Sequence, residues 1–463
     1  MTATGAGTTR QGRPDPAGLP LPPKLPGGYR QTVRNLERYP WLGVEKLKAG
    51  APIYHVGVGP TRLHPVIPRV VFASSAQAAH DVLAGSDGTL DKQAPIYVEF
   101  RRLSPNVFNL AHDAWLPRKR ALQPVFTKPR MSEYATAMSD VTVQVAEQWR
   151  EAGRIDVQAR SRALTSEVLG RSLFGRSLAH HADDLTEAFE AITGHVEYRG
   201  FNPIKPPSWL PTPGLRRYRA AESMMAALCE ETLASVRDDP AFEAPLARRM
   251  LEARDPETGE PLTHEAIVND LITFLLAGHD TTATTIAYAL WQLGRHPGWQ
   301  DAVAAEAGRI GRRTLTPADV HDLPLTVRVV HEALRMCPPA LGISRLAMRD
   351  VAVDGHRVPQ GWIVAVNVFA LHHDPAAWED PDVFDPDRFL PERSVGRSRH
   401  QFIPFAAGQR KCIGDHFAML EATVAIATLA RDLRFTSESD YLMEMAFTTR
   451  SSVPVEVRVE ARA

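Results

Sequence analysis

The chain has 463 residues, enough for a sizeable core, and its 44% hydrophobic and 23% charged content fits a soluble globular protein and excludes a fibrous or membrane-embedded class. A net charge of −1 excludes general affinity for nucleic acid, so any basic docking surface must be local. Three cysteines, Cys229, Cys337 and Cys412, widely spaced and odd in number, exclude a disulfide framework and point to a reducing cytoplasm.

Residues 1–28 are rich in Thr, Gly and Pro and contain no apolar run, so neither a signal-peptide core nor a membrane anchor is expected there. They read as a disordered lead-in to a single domain over 29–463. The spacing predicts a helix over 34–47, strands over 52–58 and 70–73, and a helix over 75–83 opened by serines. Residues 91–112 have no clean period yet are dense in Ile96, Tyr97, Phe100, Phe108 and other bulky groups. They read as a long loop, either functional or packing its own aromatics. Trp115 and Lys119 follow, one helical turn apart on one face, with Arg118 and Arg120 beside them. Amphipathic helices are expected over 155–174 and 182–195, then a proline-broken stretch carrying Pro203, Pro206, Pro207, Pro211 and Pro213.

Residues 263–295 form one long helical pattern stopped by His296-Pro297, roughly 50 Å at 1.5 Å per residue. Polar residues Asn269, Asp270, His279 and Asp280 interrupt it, which argues against a membrane span. At its centre, Ala277 and Gly278 are small enough for a flat ligand to lie against the backbone. Gly278 and a carbonyl bond from the Thr281 hydroxyl would open the helix there. Asp280 beside Thr281 places a carboxylate next to a hydroxyl, a pair suited to moving protons, although a solvated polar stripe has the same text. Glu332 and Arg335 stand three apart on a helix face, the spacing of an ion pair. Strand text resumes around Arg345, over 351–353 and over 358–366.

The chain then reaches Phe405-Ala-Ala-Gly408-Gln-Arg410-Lys-Cys412-Ile-Gly414, running straight into a helical pattern over 415–433. Gly408 and Gly414 allow positive φ or close backbone approach. Helix-start N–H groups near Cys412 favour a thiolate. One cysteine without neighbouring cysteines or histidines does not suit structural zinc, whereas haem iron needs a single proximal ligand. Taken alone, Cys412 reads more readily as an inert buried cysteine in a glycine-rich turn.

Phe-x-x-Gly-x-Arg-x-Cys-x-Gly as a whole resembles the haem-binding loop of the cytochrome P450 family, with every specified position filled. The 277–282 stretch is similar to the family's distal-helix signature, and Glu332-x-x-Arg335 with Asp385-Pro-Asp-Arg388-Phe389 to its structural triad. The resemblance implies an α+β, predominantly helical prism with a small β-rich region. It implies haem b with Cys412 as axial thiolate and metal ligand, and a cofactor cradle of Trp115, Lys119, Ala277, Gly278, Arg345, Phe405, Gly408, Arg410 and Gly414. Arg345, Arg410, Trp115 and Lys119 would hold the haem propionates. Glu332, Arg335 and Arg388 would form a buried triad holding the haem loop. Thr281 would hold dioxygen and its water while Asp280 relays protons.

The implied function is that of a soluble, bacterial-type haem-thiolate monooxygenase, an iron-dependent cytoplasmic oxidoreductase acting on a lipophilic substrate with O2. Hydroxylation and epoxidation are both open, as in natural-product tailoring. The chain ends soon after Cys412, so electrons are expected from a separate ferredoxin or flavodoxin with its NAD(P)H reductase, docking on the cysteine side at Lys411, Arg118 and Arg120. A monomer without a membrane anchor or nucleic-acid partner is expected. The alternatives are a peroxygenase or isomerase relative, which typically lacks the acid–alcohol pair present here, or a non-catalytic haem-binding protein. The 91–112 stretch would cover the substrate pocket and the proline-broken stretch would be its mobile roof. The 445–449 stretch would reach back into the pocket.

Overall fold

The computed structural model describes residues 15–26, 34, 38–57, 69–202, 205–207, 209–311 and 314–462. In chain order the elements are α1 (Tyr39–Lys48), β1 (Ile53–Val56), β2 (Val70–Ala73), α2 (Ala76–Leu83), β3 (Leu90–Asp91), α3 (Pro95–Leu103), α4 (His112–Leu122), α5 (Ser132–Ala152), β4 (Arg154–Asp156) and α6 (Val157–Leu173). Next come α7 (Ala182–Phe201), α8 (Pro213–Asp238), α9 (Pro245–Glu252), α10 (His264–Arg295), α11 (Pro297–Gly308) and α12 (Pro324–Met336). The chain finishes with β5 (Gly342–Ala347), β6 (Val351–Val353), β7 (His356–Val358), β8 (Ile363–Asn367), α13 (Val368–His372), α14 (Asp415–Asp432), β9 (Leu433–Ser437), β10 (Met443–Glu444), β11 (Arg450–Ser451) and β12 (Glu456–Ala461).

α10 is the axis of the helical part. The Thr263 side chain accepts from the Ala266 N–H and caps its start, a contribution of about 1 kcal/mol. Its end comes at His296, where Pro297 cannot continue the hydrogen-bond ladder and instead opens α11. Between these points nearly every residue is buried, so α10 is packed all round, against α6, α8, α12 and α14. Gly278 lets α6 approach: a Cβ there would sit 2.8 Å from Leu169 Cδ2.

The β-rich part is a five-stranded sheet in the order β1-β2-β8-β5-β3. β2 and β8 run parallel, with Val71 opposite Val364, and the other pairs are antiparallel. A second core of Val71, Val82, Val364, Val366 and Leu371 lies between this sheet and its flanking helices. β4, β12 and β9 form a three-stranded sheet, and β6–β7 and β10–β11 are hairpins.

Two expectations are corrected here. The lead-in is not disordered over 15–26: Leu25 donates to the His55 carbonyl at 3.0 Å, His55 to Pro23 at 2.9 Å, and Arg357 to Pro20 at 2.8 Å. Proline-rich chain is already extended and loses little entropy on lying along the edge of β1; residues 1–14 lie outside the described residues. The 91–112 stretch is not one loop, because α3 starts at Pro95, which fits the first helical turn, and buries Tyr97 and Phe100. Nine residues are too few for the period to show among so many bulky groups. The helix expected to end at 195 runs on to Phe201, and positions 58 and 203 of the predicted strand and roof fall outside the described residues.

Candidate active site

At the centre of α10, Ala277 is exposed while 271–276, His279 and Asp280 are buried, so a cleft meets the helix at that point. The Thr281 hydroxyl, also on the open side, donates to the Ala277 carbonyl at 2.7 Å. Asp280 turns away into the protein and accepts from Arg162 Nε of α6 at 2.8 Å. Burial lowers the His279 imidazole to about 4, so it is neutral. Its Nδ1 meets the Ser166 hydroxyl at 2.8 Å and its Nε2 the Thr186 hydroxyl of α7 at 3.2 Å. These bonds fix the turn that carries Asp280 and Thr281. Gly278 faces Leu169, so its small size is taken up by helix packing and the cleft side belongs to Ala277.

The loop before α14 bends through Ala406 at φ +61° and Gly408 at φ +72°. A side chain on Gly408 would overlap the Leu83 carbonyl oxygen at the end of α2. Gly414 has φ −96° and open space where a Cβ would go, so neither positive φ nor close approach explains it. Phe405 accepts from the Cys412 N–H at 2.9 Å, which closes the loop. Cys229 and Cys337 are buried in the core, whereas Cys412 is exposed. Desolvation within the loop pushes the Cys412 thiol up to about 11, with the Gly414 backbone opposing it. Bound iron would favour the thiolate form of such a ligand.

Beside Cys412 lies a concentration of positive charge. Arg410 Nη2 is 2.8 Å from Asp91, and its guanidinium stacks 4.2 Å from the centre of the Trp115 ring. Lys119 lies 5.2 Å from the same ring and donates to the Gln409 carbonyl. Arg345 is buried and donates to the Ser344 carbonyl at 2.8 Å. Lys92 Nζ donates to the Phe108 carbonyl at 2.6 Å and sits 3.8 Å from the Phe108 ring centre. Arg101 bonds Gln93 and the Asn109 carbonyl. Among the described residues, Asp91 is the one carboxylate paired with these five cations. Burial, then the charges of Arg345 and Arg410, depress the Lys92 ammonium well below its usual range. Burial also lowers Arg345, and takes Arg410 down to about 10. Such a surplus fits a ligand carrying two carboxylates, and the propionates of haem b are such a pair. The donor set therefore suits haem: one exposed thiol, an open helix backbone at Ala277, and an anion cradle.

Behind the loop, Glu332 holds Arg335 through Oε2 at 2.7 Å and Oε1 at 2.8 Å, and Arg388 Nε lies 3.3 Å from the same Oε1. Glu332 also accepts from the Asp385 N–H at 3.0 Å, and Arg335 donates to the His372 carbonyl at 2.9 Å. All three side chains are buried.

The roof is tied down through Glu99 of α3. It accepts from Arg199 at the end of α7 at 2.7 Å, from Lys205 at 3.0 Å and from Arg102 at 3.0 Å. Burial alone would raise this carboxyl, but the bonds from Arg199 and Lys205 outweigh it and hold it below its ordinary value. Its stabilising share is therefore present above the unfolded value near ~4.3 and is lost as pH falls through the lower folded value. Glu99→Gln is expected to loosen the roof by about 2 kcal/mol, less than a fully buried pair because two of the cations are partly solvated. Amide exchange over 196–207 would then rise at neutral pH, as it does for the wild type in acid. Unchanged exchange in the variant would show that Glu99 does not fasten the roof.

Sequence reading missed Lys92, Arg101, Asp91, Glu99 and Arg162. Asp91, Glu99 and Arg162 meet partners 319, 100 and 118 positions away, and Lys92 and Arg101 bond within a stretch whose fold has no clean period. The cations expected to receive a redox partner each have an acidic neighbour. Arg118 is spent on Asp270 at 2.6 Å, Arg120 on Asp255 at 2.8 Å and on Glu257, and Lys411 on Asp415.

The sequence model of the cytochrome P450 family matches residues 53–457. The chain is 30% identical to cyclooctat-9-en-7-ol 5-monooxygenase of Streptomyces melanosporofaciens, over 85% of each chain. It is 34% identical to cyclooctatin synthase of the same organism, over 68% of this chain and 69% of that one. Pentalenene oxygenase of Streptomyces avermitilis is 29% identical, over 87% of this chain and 88% of that one. The chain thus belongs to the cytochrome P450 family of haem-thiolate monooxygenases, whose cofactor is haem b with a cysteine thiolate as axial ligand, and Cys412 is the exposed cysteine that fits that place.

Proposed function

We propose that the protein hydroxylates or epoxidises a lipophilic cyclic molecule of the terpenoid type, taking electrons from a separate ferredoxin or flavodoxin and its NAD(P)H reductase. Two relatives are named for acting on pentalenene and on cyclooctat-9-en-7-ol, which supports that substrate class. Among the described residues no helix is long and apolar enough to cross a membrane; a cytoplasmic location and a monomeric state are part of this proposal. The Phe189 and Phe447 rings lie 6.2 Å apart and Phe108 lies 5.7 Å from Tyr97, aromatic contacts beside the roof that favour a lipophilic substrate.

Haem b supplies the oxygen and electron chemistry when bound. The chain's part is to hold that group and manage protons. Lys92, Arg101, Arg345 and Arg410, with Trp115 and Lys119, would take the propionates. The Glu332, Arg335 and Arg388 triad would keep the cysteine loop in place. Thr281 Oγ, released from the Ala277 carbonyl, would present its proton to the cleft. Asp280 would carry protons inward from water beside Arg162, whose guanidinium stays charged, orients the carboxylate and has 14% of its side chain exposed. The observation that carries this reading is the exposed Ala277–Thr281 edge on an otherwise buried helix, with a carboxylate beside it. Asp280→Asn is expected to cut product formation about 10²-fold while haem and substrate binding stay unchanged. Full turnover in that variant would remove Asp280 from proton delivery.

A further inference from the structure

We propose that Glu197, on the inner face of the roof helix α7, selects the substrate by accepting a hydrogen bond from a hydroxyl or ammonium group on an otherwise lipophilic skeleton. The proposal rests on the monooxygenase reading above and narrows its substrate class.

The contacts of α7 identify its inner face. Thr186 reaches His279 at 3.2 Å, Phe189 lies 6.3 Å from the His279 ring and 6.2 Å from the Phe447 ring, and Glu190 holds Arg450 at 2.7 Å. Near the other end, a Cβ on Gly200 would meet the Ile96 backbone at 2.8 Å. At about 100° per residue these positions fall within one third of the helix circumference. Glu197 falls between Thr186 and Glu190 in that projection, two turns beyond Glu190. It therefore faces the space bounded by the centre of α10, the β10–β11 hairpin and α3. The hairpin is fixed against α10 by a bond from the Thr284 hydroxyl to the Thr449 carbonyl at 2.9 Å, one turn past Thr281.

The polar groups around Glu197 are already engaged. Thr193 donates to the Phe189 carbonyl at 2.7 Å, and Thr186 to Ala182 at 2.9 Å. Arg450 is shared by Glu190 and Glu444, each at 2.7 Å. Glu197 is half-buried and, among the described residues, forms no hydrogen bond or ion pair. Burial lifts its carboxyl above the usual range, with Arg450 only partly opposing this. A ligand that displaces water from this half-buried carboxylate leaves it to be satisfied by a donor on the ligand. Three carboxylates facing one guanidinium also give the roof a negative bias, which disfavours a substrate bearing a carboxylate.

The test uses haem-loaded protein and a matched series on one skeleton: limonene, perillyl alcohol, perillylamine and perillic acid, with Kd measured by equilibrium dialysis. Wild type is expected to bind the alcohol and the amine about tenfold more tightly than limonene, with the acid weakest. Glu197→Leu should bring the alcohol-to-limonene ratio to about one without weakening limonene. Glu197→Gln, which keeps an acceptor, should retain the preference for the alcohol and lose that for the amine. Wild-type protein that binds none of the donors more tightly than limonene, or a ratio unchanged in Glu197→Leu, would overturn the proposal. The carbon monoxide difference spectrum of each sample separates the two failures. An intact haem-thiolate band without donor preference sinks the role of Glu197 alone, whereas loss of that band in wild type sinks the reading beneath it.

Discussion

Glu332→Ala is expected to cost about 3–5 kcal/mol and to leave little soluble protein holding haem. The carboxylate stands between two buried guanidinium groups, Arg335 at 2.7 Å and Arg388 at 3.3 Å. Removing it leaves both charges uncompensated where water cannot reach them. The damage should spread, because the same carboxylate accepts from the Asp385 N–H and so anchors the segment leading towards the cysteine loop. Thermal unfolding and soluble yield measure the effect. Glu332→Gln, which keeps acceptor geometry but loses the charge, should lie between the two. Wild-type melting of Glu332→Ala would mean that the triad is not what holds this region.

Gly408→Ala is expected to abolish haem incorporation while leaving most of the helical structure intact. The left-handed φ of +72° costs a non-glycine residue about 1–2 kcal/mol. Ala406, at φ +61°, already bears that cost nearby. The decisive term is steric, since the new methyl would overlap the Leu83 carbonyl oxygen and no side-chain rotation relieves a backbone clash. Either the loop carrying Cys412 shifts or the last turn of α2 opens. Haem content against circular dichroism separates the two quantities, and normal haem loading would contradict the account. Gly414→Ala should leave the fold's stability within about 1 kcal/mol, because its φ is ordinary and its Cβ position is open.

These two sites show why parts of the molecule were readable from its sequence. The Glu332 and Arg335 pair is local, three residues apart, and α10 announces itself through Thr263, a long apolar pattern and Pro297. Gly408 and Cys412 stand in a pattern dense enough to read without coordinates. What sequence reading lost was of two kinds. Short elements such as α3 carry too few residues for their period to emerge. Charges look free until the fold supplies partners, as Asp270 does for Arg118 across 152 positions and Asp91 for Arg410 across 319. The same kind of distance, 118 positions, hid Arg162 behind Asp280, while Lys92 and Arg101 were lost with the irregular stretch that holds them. Desolvation of Cys412 is likewise a tertiary effect, invisible to the helix-start argument that favoured a thiolate.

The most direct test of the account is the carbon monoxide difference spectrum of the dithionite-reduced protein, recorded beside Cys412→Ala. The account predicts a strongly red-shifted Soret band in the wild type that disappears in the variant, as a thiolate ligand requires. A wild-type band at the position of histidine-ligated haem, or a red-shifted band that survives in Cys412→Ala, would contradict it.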